Sequence, residues 1–183
     1  RARLDAAGIT LRTDVDPLGD AWPDRPALPA APIAAHRAPH APRSRAVKLA
    51  LVREAMARQG ATHHFVSTVD DVAWITNLRG SDVEYNPVFL AHLLLNTTAC
   101  RLFVDAAKID GTLRDELAAD GVALVPYEQA AAALSALGRR DVLLLDPKRV
   151  TLGFHERVGA GCAIVEAINP STLLKSRKTA EEA

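Results

Sequence analysis

Cysteine is nearly absent. Cys100 and Cys162 are the only two in 183 residues, and no Cys-x-x-Cys pair exists. A disulfide framework is therefore excluded, and two free thiols in a cytosolic protein are expected. Long apolar runs are missing as well: none reaches the ~18–20 residues that a membrane helix requires. No signal-peptide pattern is visible. Neither sign of charge is in excess, with 22 basic against 22 acidic side chains, so nothing draws the chain to nucleic acid or to an anionic membrane. No internal repeat of about 20–50 residues is found. The chain does have a hydrophobic fraction of 49%, enough for a real core, and a length suited to one domain or slightly more. It lacks an initiator methionine and opens inside a helix-like segment, so it is expected to be a piece of a longer sequence.

Arg1 to Ala7 reads as the end of a helix closed by Gly8, and Ile9 to Arg12 as a short strand. Asp14 to Arg43 then holds seven of the eleven prolines. That density argues against helix or central strand and for an extended linker, with Trp22 buried as its anchor. Ser44 caps a helix over Arg45 to Gln59, with Leu49, Val52 and Met56 on one face and Gly60 as its stop. His63 to Val66 is a strand. Thr68 caps a short helix that ends near Asn77. Val88 to Leu95 reads as a strand buried on both faces, joined by Asn96-Thr97-Thr98 to an antiparallel strand over Cys100 to Val104. A helix over Leu113 to Ala119, a strand over Val122 to Val125, a helix over Tyr127 to Leu137 and a strand over Asp141 to Leu145 follow. Val150 to Gly161 is ambiguous. Ala163 to Ile168 reads as an edge strand that turns out at Asn169-Pro170. Together these predict an α/β layer structure with a mixed five- to six-stranded sheet flanked by helices.

The chemically dense part is the loop from Arg79 to Asn86, with Arg79, Ser81, Asp82, Glu84 and Asn86 between two buried elements. A loop held at both ends by a rigid scaffold often carries function. The run Ala73-Trp74-x-x-Asn77-Leu78-Arg79-Gly80-Ser81-Asp82-Val83-x-x-Asn86-Pro87-Val88-Phe89 closely resembles the middle domain of the three-domain Xaa-Pro aminopeptidases, in the creatinase–prolidase superfamily. Trp22-Pro23-Asp24-Arg25-Pro26-Ala27-Leu28-Pro29 resembles the segment joining the first and middle domains of that family. The resemblance implies a creatinase/prolidase N-terminal-like fold with ribonuclease-H-like layering. It implies four regions: a remnant of a preceding domain at 1–13, a proline-rich linker at 14–43, the middle domain at 44–174, and the start of a catalytic domain at 175–183. Thr179 to Glu182 is a capping box, the start signal of a helix that the family's catalytic domain would continue.

Family members remove the N-terminal residue before proline, using two metal ions, usually manganese. The ions are held by two aspartates, a histidine and two glutamates of the catalytic domain. None of those motifs lies here, so no catalytic residue and no metal ligand is expected in this chain. The resemblance implies as partners the flanking domains of the same chain and short Xaa-Pro peptides, with a cytoplasmic homodimer for the full-length protein. Arg79, Ser81, Asp82 and Asn86 are the expected substrate-proximal or interdomain residues. From residue type alone, Arg79 is suited to pair with Asp82 or to offer its fork to a neighbouring carboxylate, and Asn86 to bond loop backbone.

Other constellations are weaker. His63 and His64 are adjacent on a strand and point to opposite faces, one half-buried and one exposed, so they do not share an ion. His36 and His40 lie four apart, but in a proline-rich segment. His155-Glu156 is a lone pair. Asp105 and Asp146 each follow a buried strand, as the magnesium-binding carboxylates of a ribonuclease-H-like nuclease do; Asp146-Pro147 equally reads as a helix start. A stand-alone interaction module is the remaining alternative.

Overall fold

The computed structural model describes residues 2–12 and 14–182. Arg1, Thr13 and Ala183, which belong to the expected terminal segments, lie outside the described residues.

The first helix, α1 (Ala2–Ala6), is followed by Gly8 in the left-handed region at φ 69°. Ile9 to Arg12 forms no strand. The linker does contain a helix, contrary to the proline argument: α2 (Pro17–Ala21) has Pro17 in its first turn and Asp16 accepting from the Gly19 N–H. Proline breaks a helix interior, but at the first position its missing N–H costs nothing. Trp22 is 52% exposed and is not the buried anchor expected of it. The linker is held instead by backbone. Ile33 N–H donates to the Lys108 carbonyl at 2.8 Å, and β1 (Ala34–Ala35) pairs with a short strand further on.

The main body begins with α3 (Arg45–Arg58), capped by the Ser44 hydroxyl at Val47 N–H and closed by Gly60 at φ 70°. Next come β2 (His63–Val66), α4 (Val69–Thr76) and β3 (Leu78–Arg79), the partner of β1. Then follow β4 (His92–Asn96), β5 (Cys100–Phe103), α5 (Gly111–Ala119), β6 (Val122–Val125) and α6 (Ala130–Ser135). Then come β7 (Val142–Leu145), the one-turn α7 (Leu152–His155), β8 (Ala163–Glu166) and α8 (Pro170–Ser176), and a 3-10 turn over Ala180–Glu182 follows at the expected capping box. The boundary expected between residues 174 and 175 falls inside α8, a helix the Asn169-Pro170 turn had concealed.

Six strands form one mixed sheet in the order β6-β5-β4-β2-β7-β8. The β4–β5 hairpin and the β2–β4 pair are antiparallel; the outer pairs are parallel. The Asn96 side chain closes the hairpin by accepting from the Thr98 and Ala99 N–H groups. Apolar packing covers both faces. Leu49, Val52, Val72, Leu93, Leu95, Leu102 and Leu117 share one cluster, and Phe65, Leu94, Phe103, Leu134, Leu143 and Leu145 the other. Along β4, Leu93 and Leu95 face one side and Leu94 the other, which is why this segment reads as a continuous apolar run. The strand is shorter than expected, however. Val88, Phe89 and Ala91 are buried and Leu90 half-buried, but the segment is unpaired with the sheet, because its backbone groups are used by the preceding loop.

Candidate functional site

α4 ends where Asn77 adopts a left-handed conformation at φ 53°. Asparagine tolerates that region better than most residues, and its side chain fixes the turn. Asn77 Oδ1 accepts from Lys48 Nζ at 2.6 Å, and Nδ2 donates to the Arg43 carbonyl at 2.8 Å. After β3 the chain passes Gly80 against Phe89. A Cβ at Gly80 would lie 2.8 Å from Phe89 Cβ and 3.2 Å from the Val88 carbonyl oxygen. Neither neighbour is a flexible tip, so Gly80→Ala is expected to cost about 1–3 kcal/mol in urea unfolding. An unchanged midpoint would mean that the two segments do not meet this closely.

Asp82 is the clamp of the loop. Its side chain is fully buried and pairs with the ammonium of Lys108, itself 2% exposed. Its Oδ2 also accepts from Leu90 N–H at 2.7 Å, and its own N–H donates to the Val88 carbonyl at 3.2 Å. Above this base the tip turns over: Val83 and Asn86 form an isolated bridge, and Tyr85 sits at φ 60° with 98% of its surface exposed. A non-glycine residue in that region costs of order 1–3 kcal/mol and persists only where its surroundings impose it.

The structure places the four expected residues in two roles. Arg79 does not pair with Asp82. Its Nη1 donates to the Ala73 and Leu78 carbonyls, at 3.0 and 2.8 Å, across the end of α4. Partial burial lowers its pKa. Asp82 faces inward and takes Lys108 as its counter-charge, while the Arg79 fork is committed to the carbonyls at the end of α4. Ser81 and Asn86 face solvent. Asn86 supports the loop through its backbone, its N–H donating to Val83 and its carbonyl accepting from Val88 N–H at 2.7 Å. Two residues went unforeseen. Lys108 gave no local signal, being 26 residues from Asp82. Tyr85 was visible as an aromatic in a polar loop.

A second network, buried at Asp71 and open to solvent at Asp70, ties α4 to α8. Lys175 Nζ pairs with Asp70 and lies 2.7 Å from Asp71 Oδ1. Asp71 Oδ2 accepts from Thr68 Oγ1 at 2.6 Å and Asn169 Nδ2 at 3.1 Å. Thr68 therefore spends its hydroxyl on Asp71 rather than on a backbone cap. Burial raises the Asp71 pKa, but the bonds from Lys175, Thr68 and Asn169 outweigh it and leave the carboxyl lowered.

The histidines differ from expectation. His64 is fully buried, its Nδ1 3.0 Å from the Leu144 carbonyl oxygen, and His63 is largely covered, its Nδ1 3.0 Å from Thr62 Oγ1. Neither is exposed, because helices cover both faces of the sheet. Asp105 and Asp146 are separated by β4 and β2, so about 14 Å of sheet lies between their strands. Each carboxylate accepts local amides: Asp105 that of Ala107, and Asp146 those of Lys148 and Asn169. Asp146-Pro147 starts a turn, not a helix. Among the described residues, no three His, Cys, Asp or Glu side chains gather to hold a metal ion. Among the described residues, the buried carboxylates Asp71 and Asp82 are already paired with lysines and do not offer the donor set of a dinuclear metal centre. No helix is long and apolar enough to cross a membrane among the described residues.

Residues 24–182 match the family model described as Creatinase/Prolidase N-terminal domain. A protein of Laccaria bicolor named Probable Xaa-Pro aminopeptidase P is 36% identical over 141 residues, covering 74% of this chain and 22% of that protein. Aminopeptidase P2 of Arabidopsis thaliana is 31% identical over 151 residues, covering 81% of this chain and 21% of that protein. The chain thus spans about a fifth of the length of these curated relatives. Among solved structures, the X-prolyl aminopeptidase of Caenorhabditis elegans, described as a cytosolic enzyme with a di-nuclear active site, superposes with a TM-score of 0.87 at 22% identity. That match covers 98% of this chain and 30% of the other, and it shows the shared fold.

Proposed function

The chain belongs to the creatinase/prolidase N-terminal domain family, and from that premise we propose that it is the non-catalytic middle domain of a longer Xaa-Pro aminopeptidase. In this reading residues 1–13 belong to a preceding domain, 14–43 link it, and 175–183 lead into a catalytic domain. That further domain supplies two aspartates, a histidine and two glutamates for two manganese ions, and the whole protein is a cytoplasmic homodimer. The domain acts as a scaffold that presents the Arg79–Asn86 loop to the mouth of the active site. The observation that carries the proposal is the construction of the loop. Its base is clamped by a buried ion pair, while Tyr85 and Asn86 at its tip are exposed on a turn that is costly to hold, with Ser81 exposed beside the base. Strain of that kind is typical of ligand clamps.

Kinetics of the full-length protein on a Xaa-Pro peptide test this. Replacing Tyr85 and Asn86 by alanine is expected to raise KM about tenfold, the loss of about 1.4 kcal/mol of binding, with kcat less affected. The unfolding free energy in urea should change by no more than about 0.5 kcal/mol, since both side chains are exposed. Unchanged KM would remove the loop from the active site. The coding sequence downstream of residue 183 tests the wider assignment, because the five metal ligands must appear there. The 183-residue chain alone is expected to release no N-terminal residue from such a peptide with manganese; turnover would overturn the assignment of domains.

A further inference from the structure

A cavity at the foot of the loop carries charge that the scaffold role leaves unused. It has a volume of about 520 Å³ and is walled by His36, His40, Lys48, Arg79 and Lys178, with Glu181 as the single carboxylate of its lining. The cations arrive from separate segments: the turn after β1, helix α3, strand β3 and the segment after α8. The His36 and His40 rings stack with centroids 6.0 Å apart. Arg79 uses Nη1 for the Ala73 and Leu78 carbonyls, and its Nε and Nη2 have no hydrogen-bond partner among the described residues. Lys178 is exposed and has no ion-pair partner among the described residues.

The surroundings do not cancel this charge. Lys48 is turned toward Asn77 and the Trp74 ring, and it contributes field rather than a free donor. On the far side of His36, Glu116 is closed by Arg37 and Asp120 by Arg45. Glu181 is bonded by its own backbone and Thr179, with Arg43 nearby. The resulting positive field is felt at His36, whose pKa is lowered by burial and then by Arg79, His40 and Lys48.

We infer that this cavity binds a small tetrahedral oxyanion of the phosphate or sulfate class, held between the open edge of the Arg79 guanidinium, Lys178 and the His36–His40 pair. A guanidinium edge and an ammonium give charge-assisted hydrogen bonds to such an anion. An anion also stabilises the imidazolium form, so binding tightens as pH falls. The site rests on the cavity's own lining, although Arg79 opens the loop of the peptidase reading and Lys178 lies in the segment assigned to lead into the catalytic domain.

Sulfate is the probe, because its charge is constant over the pH range used. It is titrated into the 183-residue chain at fixed ionic strength, balanced with chloride, while the histidine ring signals are followed by NMR. His36 and His40 are expected to shift and saturate, with His63 and His92 still. Affinity should rise about threefold between pH 7.5 and 6.0 as the imidazoles protonate. Lys178→Gln is expected to weaken binding about tenfold, and His40→Gln to flatten the pH dependence. Both positions are exposed, so these variants keep the fold. No saturable shift, the same shift with chloride, or unchanged binding by Lys178→Gln would each overturn the site.

Discussion

Lys108→Met is expected to destabilise the chain by about 3–5 kcal/mol in urea unfolding, because it leaves the Asp82 carboxylate buried without its counter-charge. The Asp82 side chain has no exposed surface and Lys108 has 2%. Water cannot take over from the lost ammonium, and Leu90 N–H alone remains to Asp82 Oδ2. A typical domain has about 5–15 kcal/mol in total, so this is a large share. Asp82→Asn is the complementary change: the amide oxygen can still accept from Leu90, but Lys108 is stranded. The double variant separates pairing from packing. With both charges gone no ion is left buried, so Asp82→Asn with Lys108→Met is expected to be less damaged than the two single losses combined, by about 2 kcal/mol or more. Amide exchange over residues 80–90 should accelerate in the single variants, since Asp82 also anchors Val88 and Leu90. A single-variant loss below about 1 kcal/mol, or strict additivity, would show that the pair does not hold the loop.

What the sequence disclosed is what local chemistry decides. Ser44 and Gly60 bound α3 because cap and stop lie at the helix ends themselves. Asn77 ends α4 by its own tolerance for a left-handed backbone, and Asn96 closes the β4–β5 turn with its own side chain. The mixed sheet and its family were legible for the same reason, since the apolar strands and the Asn77–Phe89 run are contiguous. What stayed hidden depends on partners far along the chain. Asp82 finds Lys108, and Lys175 reaches Asp70 across 105 positions. Val88 to Leu90 has the composition of a strand, yet Asp82 takes the Leu90 amide and keeps the segment out of the ladder. Asn169-Pro170 suits either a turn or a helix start, and only the packing of α8 on α4, fastened by Asn169 and Lys175, decides for the helix. Alternation alone put one of His63 and His64 in solvent; alternation assigns faces but does not say that both are covered.

Acid is expected to unfold the chain in two separable stages, the first set by His64 and His92. His64 is held to the Leu144 carbonyl in the core, and burial lowers its pKa to about 4, with Leu144, Asp71 and Asp146 opposing only in part. His92 is 7% exposed, packed against Phe65, Tyr127 and Phe154, and burial lowers it to about 4 as well. Both are therefore neutral in the folded chain at pH values where the unfolded chain takes up protons. Above about pH 6.5 neither affects stability. As pH falls from there toward 4, protons bind preferentially to the unfolded state, and each histidine removes about 3 kcal/mol by pH 4. Below pH 4 the folded form protonates too, and this contribution levels off. Asp71 works in the opposite sense of charge but the same direction of stability. Its carboxyl is held below the usual range, so its contribution is intact above about pH 4 and is lost only at lower pH. Urea midpoints measured from pH 7.5 to 4.5 should thus fall before the Asp71 carboxylate titrates. His92→Leu keeps an apolar group in the aromatic cluster and is expected to remove about half of that fall, at the cost of the Ser67 contact. A midpoint that holds steady to pH 4.5, or an unchanged pH profile in His92→Leu, would mean that the buried imidazoles are not what acid acts on.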